Sequence, residues 1–372
     1  MALPRKIPSR IPSRLAAGLG AIGLAAGVAI TGAGTAQAAV PDKWGFAFID
    51  KPMVAGIPDL SHQAGTWPAP MHAHSAPGAP GQVTVRFPAI AAKGGVVHVT
   101  AVNVGAVWCQ AQKWGPSGSS EAVTVRCFKA GGVPVFSQFT VLFTVSSKGK
   151  FPAGRGYGYV HFQPGPGIVT SFNSAGPANS VAPGPTGVWT VKMPGLGSAG
   201  PAGQIQVTAV NSASPAKCGV GGWSSAPGGQ VFQVRCFNGG STPLQTGWTL
   251  SYERRRAITG GQPKFFAYTF DDKPLLPGPY APTPVAVNFN SQGTVNTIRS
   301  AGTGLRLVQF PRVGKLPNTV LVTPFHAGPA FCNLLAPWAT AAPNVIVRDV
   351  ACYTAAGTLK NQRTMTTYTS AH

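Results

Sequence analysis

The chain of 372 residues carries 29 Lys and Arg against only 8 Asp and Glu, a formal charge of +21, with 48 Gly and 36 Pro among 44% hydrophobic residues. Glycine and proline at this density punctuate apolar alternating runs without forming tracts, which is the profile of many short strands with frequent turns and not of disorder. So strong a basic bias suits contact with polyanions.

Residues 1–38 stand apart from the rest. Arg5, Lys6, Arg10 and Arg14 precede an Ala/Gly/Leu/Ile run from Leu15 to about Gly34, and Ala36-Gln37-Ala38 follows as a small-x-small cleavage site. This is the layout of a secretory signal peptide. The glycines in the run and the cleavage site behind it favour removal over a membrane anchor. The mature chain is then 39–372, with a formal charge of +17 once those four cations are gone. It is expected outside the cell or on the cell wall, with no membrane contact after cleavage. For such a protein anionic cell-wall polymers or acidic glycans are the expected partners, and nucleic acid is not.

The mature part contains three copies of one unit, at about 43–150, 155–256 and 264–372. Each opens on an aromatic alternating strand: "WGFAF", "YGYVHF" and "FFAYTF". "VHVTAVN" (97–103) recurs as "IQVTAVN" (205–211) and "VLVTPF" (320–325). "VTVRCF" (123–128) recurs as "FQVRCF" (232–237) and "VRDVACY" (347–353). "LSHQAG" (60–65), "SFNSAG" (171–176) and "NFNSQG" (288–293) also line up, and each unit closes on "FTVLF", "WTLSY" or "MTTY". Blocks recurring in one order at a period near 110 residues mark a repeat architecture. The joins, 146–156 and 254–264, are basic and rich in Gly and Pro.

No segment after the leader keeps a helical period, so the class is all-β. The favoured architecture is a single β-propeller of six or seven blades. In it the N-terminal "WGFAF" strand pairs with the C-terminal "MTTYTS" and removes both free edges. The alternative is three tandem β-sandwich domains.

The cysteines fall two per unit: Cys109 and Cys127, Cys218 and Cys236, Cys332 and Cys352. Recurrence in homologous units selects a bridge within each, in the oxidising compartment that export supplies. Trp114, Trp223 and Trp338, five or six residues after each first cysteine, are expected to pack over the bridges. There is no Cys-x-x-Cys and no histidine at a fixed offset, so zinc is not expected.

No catalytic constellation is present, and no cofactor or metal is expected. Gly195 to Gly200 formally matches a dinucleotide fingerprint but lies between strands, without the following helix that would hold a phosphate. Met71-His72-Ala73-His74 with His62 reads as a surface loop. Asp271, Asp272 and Asp50 read as turn aspartates, with a glycoside hydrolase-like acid/base pair as the rival. The aromatic strands read as core, with exposed rings of a lectin-like sugar binder as the rival. Arg254-Arg255-Arg256 is the one dense cationic cluster and the candidate polyanion contact.

The block order, from aromatic strand through "FNS(A/Q)G", "VTAVN", Cys-x4-Trp and "VRCF", resembles secreted actinobacterial β-propeller proteins of the dispase autolysis-inducing type. That resemblance implies a non-enzymatic envelope protein, a cross-linking substrate of transglutaminase and a partner of an extracellular protease. It also implies reactive glutamines in exposed loops, for which Gln63 and Gln292 are the candidates.

Overall fold

A computed structural model describes residues 42–146 and 151–372; the leader and its cleavage site lie outside the described residues. Every repeat lays down the same series of strands. An opening strand (Lys43–Ile49, Gly156–Gln163, Phe266–Asp271) pairs on one side with a second strand (Gln63–Gly65, Gly167–Asn173, Asn288–Asn290). On its other side lies the closing strand of the same repeat (Gln138–Val145, Gly247–Arg254, Arg363–Ser370). The closing strand then pairs with an axial strand (Val96–Val102, Gln204–Val210, Asn318–Phe325). The other layer is a cysteine hairpin (Val107–Ser117 with Ser120–Lys129, Ala216–Ala226 with Gly229–Asn238, Phe331–Leu334 with Asn344–Tyr353). A middle strand (Gln82–Phe87, Val188–Pro194, Leu305–Phe310) extends it.

Alternation along these strands places one apolar face of each layer inward. In the first repeat Val97, Val99 and Phe143 of one layer share a core with Val85, Val123 and Val125 of the other. Each repeat is therefore a two-layered sandwich with its own core. The layers do not stop at the repeat borders. A parallel bridge joins each axial strand to the hairpin of the preceding repeat: Val210 with Ala111, Phe325 with Val220, and, closing the cycle, Val102 with Leu334. Three mixed sheets of nine, nine and eight strands result, each shared by two repeats.

The all-β class holds, but no closed ring of four-stranded blades is found among the described residues. "WGFAF" pairs with Gln138–Val145 of its own repeat, and the C-terminal strand pairs with Phe266–Asp271 and Asn318–Phe325. The reason is that every closing strand is already held on both edges. It has no edge left for the opening strand that follows it in sequence, so the linker crosses to another sandwich.

The axial strands are buried along their whole length. An alternating strand usually turns its polar face to water. Here Val97, Val99 and Ala101 enter the core of their own repeat, and the polar residues between them face the other repeats. The amide of Val99 donates to Thr208 Oγ1 (3.2 Å), that of Val207 to Thr323 Oγ1 (3.0 Å), and that of Val322 to Thr100 Oγ1 (2.9 Å). The threonine repeated in "VTAV", "VTAV" and "VTPF" thus satisfies one buried amide of the preceding repeat around a threefold cycle. His98 reaches Thr208 Oγ1 (3.3 Å) and Ser251 Oγ (2.7 Å), and burial lowers its pKa to about 3, so it is a neutral hydrogen-bonding residue.

Candidate anion-binding cleft

The second repeat closes at Arg254, which pairs with Gly156 at the start of its opening strand. That register brings the departing linker beside the arriving one. Arg254 is fixed by backbone: Nε donates to Gly154 O (3.0 Å) and Nη1 to Gly197 O (3.0 Å). Arg255 adopts φ +49°, and its amide donates to Tyr268 Oη (3.1 Å). This left-handed turn sends successive arginines apart. Arg255 is exposed, whereas Arg256 is buried with its guanidinium 3.7 Å from the Phe151 ring centroid. Burial lowers the Arg256 pKa, the like charge of Arg155 adds to the effect, and Asp42 opposes it.

Three adjoining hollows surround these side chains. One of about 240 Å³ is lined by Phe151, Arg155, Gly197 and Arg254. One of about 360 Å³ lies between Arg254, Arg255, Tyr268 and Phe289. The outermost, about 670 Å³, is bounded by Arg155, Arg255, Lys264, Phe289 and Gln292. Arg155, Arg255 and Lys264 are exposed and form no ion pair with another described residue. Four cations converge with open space between them, which raises the local potential for an anion.

Sequence reasoning therefore found part of this site. Arg254 and Arg255 belong to it; Arg256 does not, because it is packed against Phe151. Arg155 and Lys264 were missed as site residues, although both linkers were visibly basic. The Gly195–Gly200 loop is a strand connection, as expected, yet Gly195, Leu196 and Gly197 line the cleft wall. A Cβ on Gly197 would lie 1.8 Å from Ala226 O, so only glycine lets the chain pass there.

The disulfides Cys109–Cys127, Cys218–Cys236 and Cys332–Cys352 close directly opposed pairs in each hairpin, with Cα atoms 4.0, 4.1 and 4.1 Å apart. Such bridges point to an oxidising compartment. No helix among the described residues is long and apolar enough to cross a membrane. The tryptophans belong to the same cores as the bridges, and their ring contacts run to the neighbouring repeats. Trp114 lies 4.4 Å from His161, Trp223 6.5 Å from Phe270, and Trp338 6.0 Å from Phe48, measured between ring centroids. Each reaches the same position in the opening strand of the next repeat and so fastens the three sandwiches together. The residues just before the first cysteines form a second buried group. Lys217 Nζ sits 4.8 Å from the Trp108 ring centroid and 5.2 Å from that of Phe331.

Gln63 is not an exposed reactive glutamine. It is buried, its Nε2 donates to Pro58 O (2.8 Å), and its Oε1 accepts the Ala73 amide (2.7 Å). Nor is it the counterpart of Gln292. Gly45, Gly158 and Ala267 pair with Gly65, Asn173 and Asn290, which sets Gln63 opposite Asn288 in the repeat. Gln292 is half-buried at the cleft rim, with Nε2 donating to Lys264 O (2.7 Å).

The rival chemistries find little support. Asp271 is buried, accepting from Arg306 Nε (2.7 Å) and Tyr280 Oη (2.6 Å), and Asp50 accepts the Asp59 amide (3.1 Å). These carboxylates are occupied by an ion pair and a turn. Phe46, Phe48, Tyr157, Tyr159, Phe266 and Tyr268 are buried, so they cannot stack on a sugar. His62 contacts Asp59 (3.2 Å) and Trp338, and no cluster of three metal-ligating side chains occurs among the described residues. No protein-family model, curated protein or solved structure matches this chain.

Proposed function

We propose that this is an exported, non-enzymatic binding protein that takes an extended anionic polymer of the cell envelope along the Arg155–Arg254–Arg255–Lys264 cleft. One observation supports the reading: two linkers from different repeats converge to place these cations around adjoining hollows, with no described acid paired to the three that are exposed. Arg254 is held by two carbonyls and needs little ordering on binding. The exposed cations supply a salt-sensitive attraction that selects charge spacing over sugar identity. Any cross-linking by a transglutaminase would have to use Gln292 instead of Gln63, and a polymer in the outer hollow would cover it.

The test is binding of a wall-type poly(glycerol phosphate) chain and of a neutral glucan of equal length. The charged chain should bind and be released by salt; the neutral one should not. Replacing Arg155, Arg255 and Lys264 together by alanine should weaken binding by roughly a hundredfold, about 1 kcal/mol per exposed contact, without changing thermal unfolding. Affinity equal to that of the unaltered protein would refute the cleft as the site.

A further inference from the structure

The opening strands of the second and third repeats begin beside the cleft, and the far end of each opening strand leads into its second strand. At that far end the three repeats differ. The second turns back at once through residues 164–166, but the first and third make long excursions through residues 50–62 and 272–287. Both excursions start with the same turn. In "DKPMV" the Val54 amide donates to Lys51 O (3.1 Å), and in "DKPLL" the Leu276 amide donates to Lys273 O (2.9 Å). Proline at the second position stiffens each turn. Arg306 Nη1 braces the third-repeat turn through Leu276 O (2.8 Å).

Each turn holds two large apolar side chains out in water. Met53 and Val54 are 68% and 59% exposed, and Leu275 and Leu276 are 80% and 40% exposed. Lys51 and Lys273, one residue before each proline, are exposed as well. The acids beside them are half-buried: Asp50 Oδ1 accepts the Asp59 amide, and Asp272 Oδ1 is buried. Each turn therefore offers water a convex pair of apolar side chains with an ammonium at its shoulder.

We infer that the Lys51–Val54 and Lys273–Leu276 turns are paired anchors that enter the interfacial region of an anionic phospholipid bilayer. A convex apolar tip has no groove to receive a folded partner. It suits a soft interface in which side chains reach the acyl boundary while a flanking lysine stays among the headgroup phosphates. Two anchors from equivalent positions in one rigid frame act together, so the second adds by effective concentration. This site lies apart from the arginine cleft and departs from the expectation of no membrane contact.

The experiment is co-sedimentation with vesicles of phosphatidylcholine containing about a third phosphatidylglycerol, compared with pure phosphatidylcholine, at low salt and at 0.5 M NaCl (about a 4 Å Debye length). The protein should sediment with the anionic vesicles, and a fraction should stay bound at high salt. M53S/V54S and L275S/L276S should each lower partitioning by about tenfold, and the four substitutions together should abolish the salt-resistant fraction. The cleft triple substitution should leave that fraction intact, which separates failure of the two proposals. Equal partitioning of the fourfold variant and the unaltered protein would overturn the inference. So would absence of binding to the anionic vesicles, including the case in which the turns instead retain a delipidated envelope protein.

Discussion

Lys217 lets the energetics of the central cluster be tested by pH. Its residue is 4% exposed, and Nζ donates to Gly239 O (3.3 Å) and Gly240 O (2.8 Å) while lying over the Trp108 and Phe331 rings. Desolvation outweighs these contacts and lowers its pKa from 10.5 to about 8. Because the folded value is the lower one, the unfolded chain binds more protons between the two. Stability must then rise with pH from about 8 to about 10.5. The gap between the two values corresponds to about 3 kcal/mol. Lys217→Met removes the titration and keeps the volume. Urea unfolding of both proteins from pH 7 to 11 should show the unaltered protein gaining about 3 kcal/mol relative to the variant. Buried tyrosines such as Tyr157 and Tyr268 titrate in both proteins and cancel in the difference. A difference that stayed constant, or moved in favour of the variant, would refute the reasoning. It would mean that the rings and carbonyls hold the ammonium at or above its ordinary pKa.

Trp338→Ala should cost about 3–5 kcal/mol by chemical denaturation, because it empties the seam against Phe48 and His62 and strands the Asn318 Oδ1 acceptor, now 2.6 Å from Trp338 Nε1. A loss below about 1 kcal/mol would show that the seam contributes little. Replacing Cys332 and Cys352 together by alanine should lower stability by about 3 kcal/mol through the freed loop. Reductant should then shift the melting temperature of this variant less than that of the unaltered protein.

The repeat, the disulfide pairing and the all-β class were legible in the sequence because each rests on local pattern. "VTVRCF" and its copies put a cysteine at one place in a strand pair, and a bridge between opposed residues needs no knowledge of the remaining layers. Propeller closure was misread because "FTVLF" and "YGYVHF" follow each other in sequence. The closing strand is instead saturated by its own opening and axial neighbours. Gln63 was misplaced because its glycine-ended block resembles "NFNSQG", while strand register places it three residues earlier in the repeat. The tryptophans five or six residues after the cysteines also face the opening strand of the next repeat, a contact that sequence order does not display.

By itself the sequence determined that this chain builds three similar cystine-stapled β units with a strong positive charge, because composition and period act residue by residue. Only the tertiary structure decided where that charge becomes a site. Arg155 and Lys264 stand more than a hundred residues apart in the chain, and neither has a local signature. They meet because Arg254 pairs with Gly156, so the linker entering the second repeat and the linker leaving it run side by side. The same cycle of repeats turns the polar face of "VTAV" inward, onto amides of the neighbouring repeat that no periodicity could reveal.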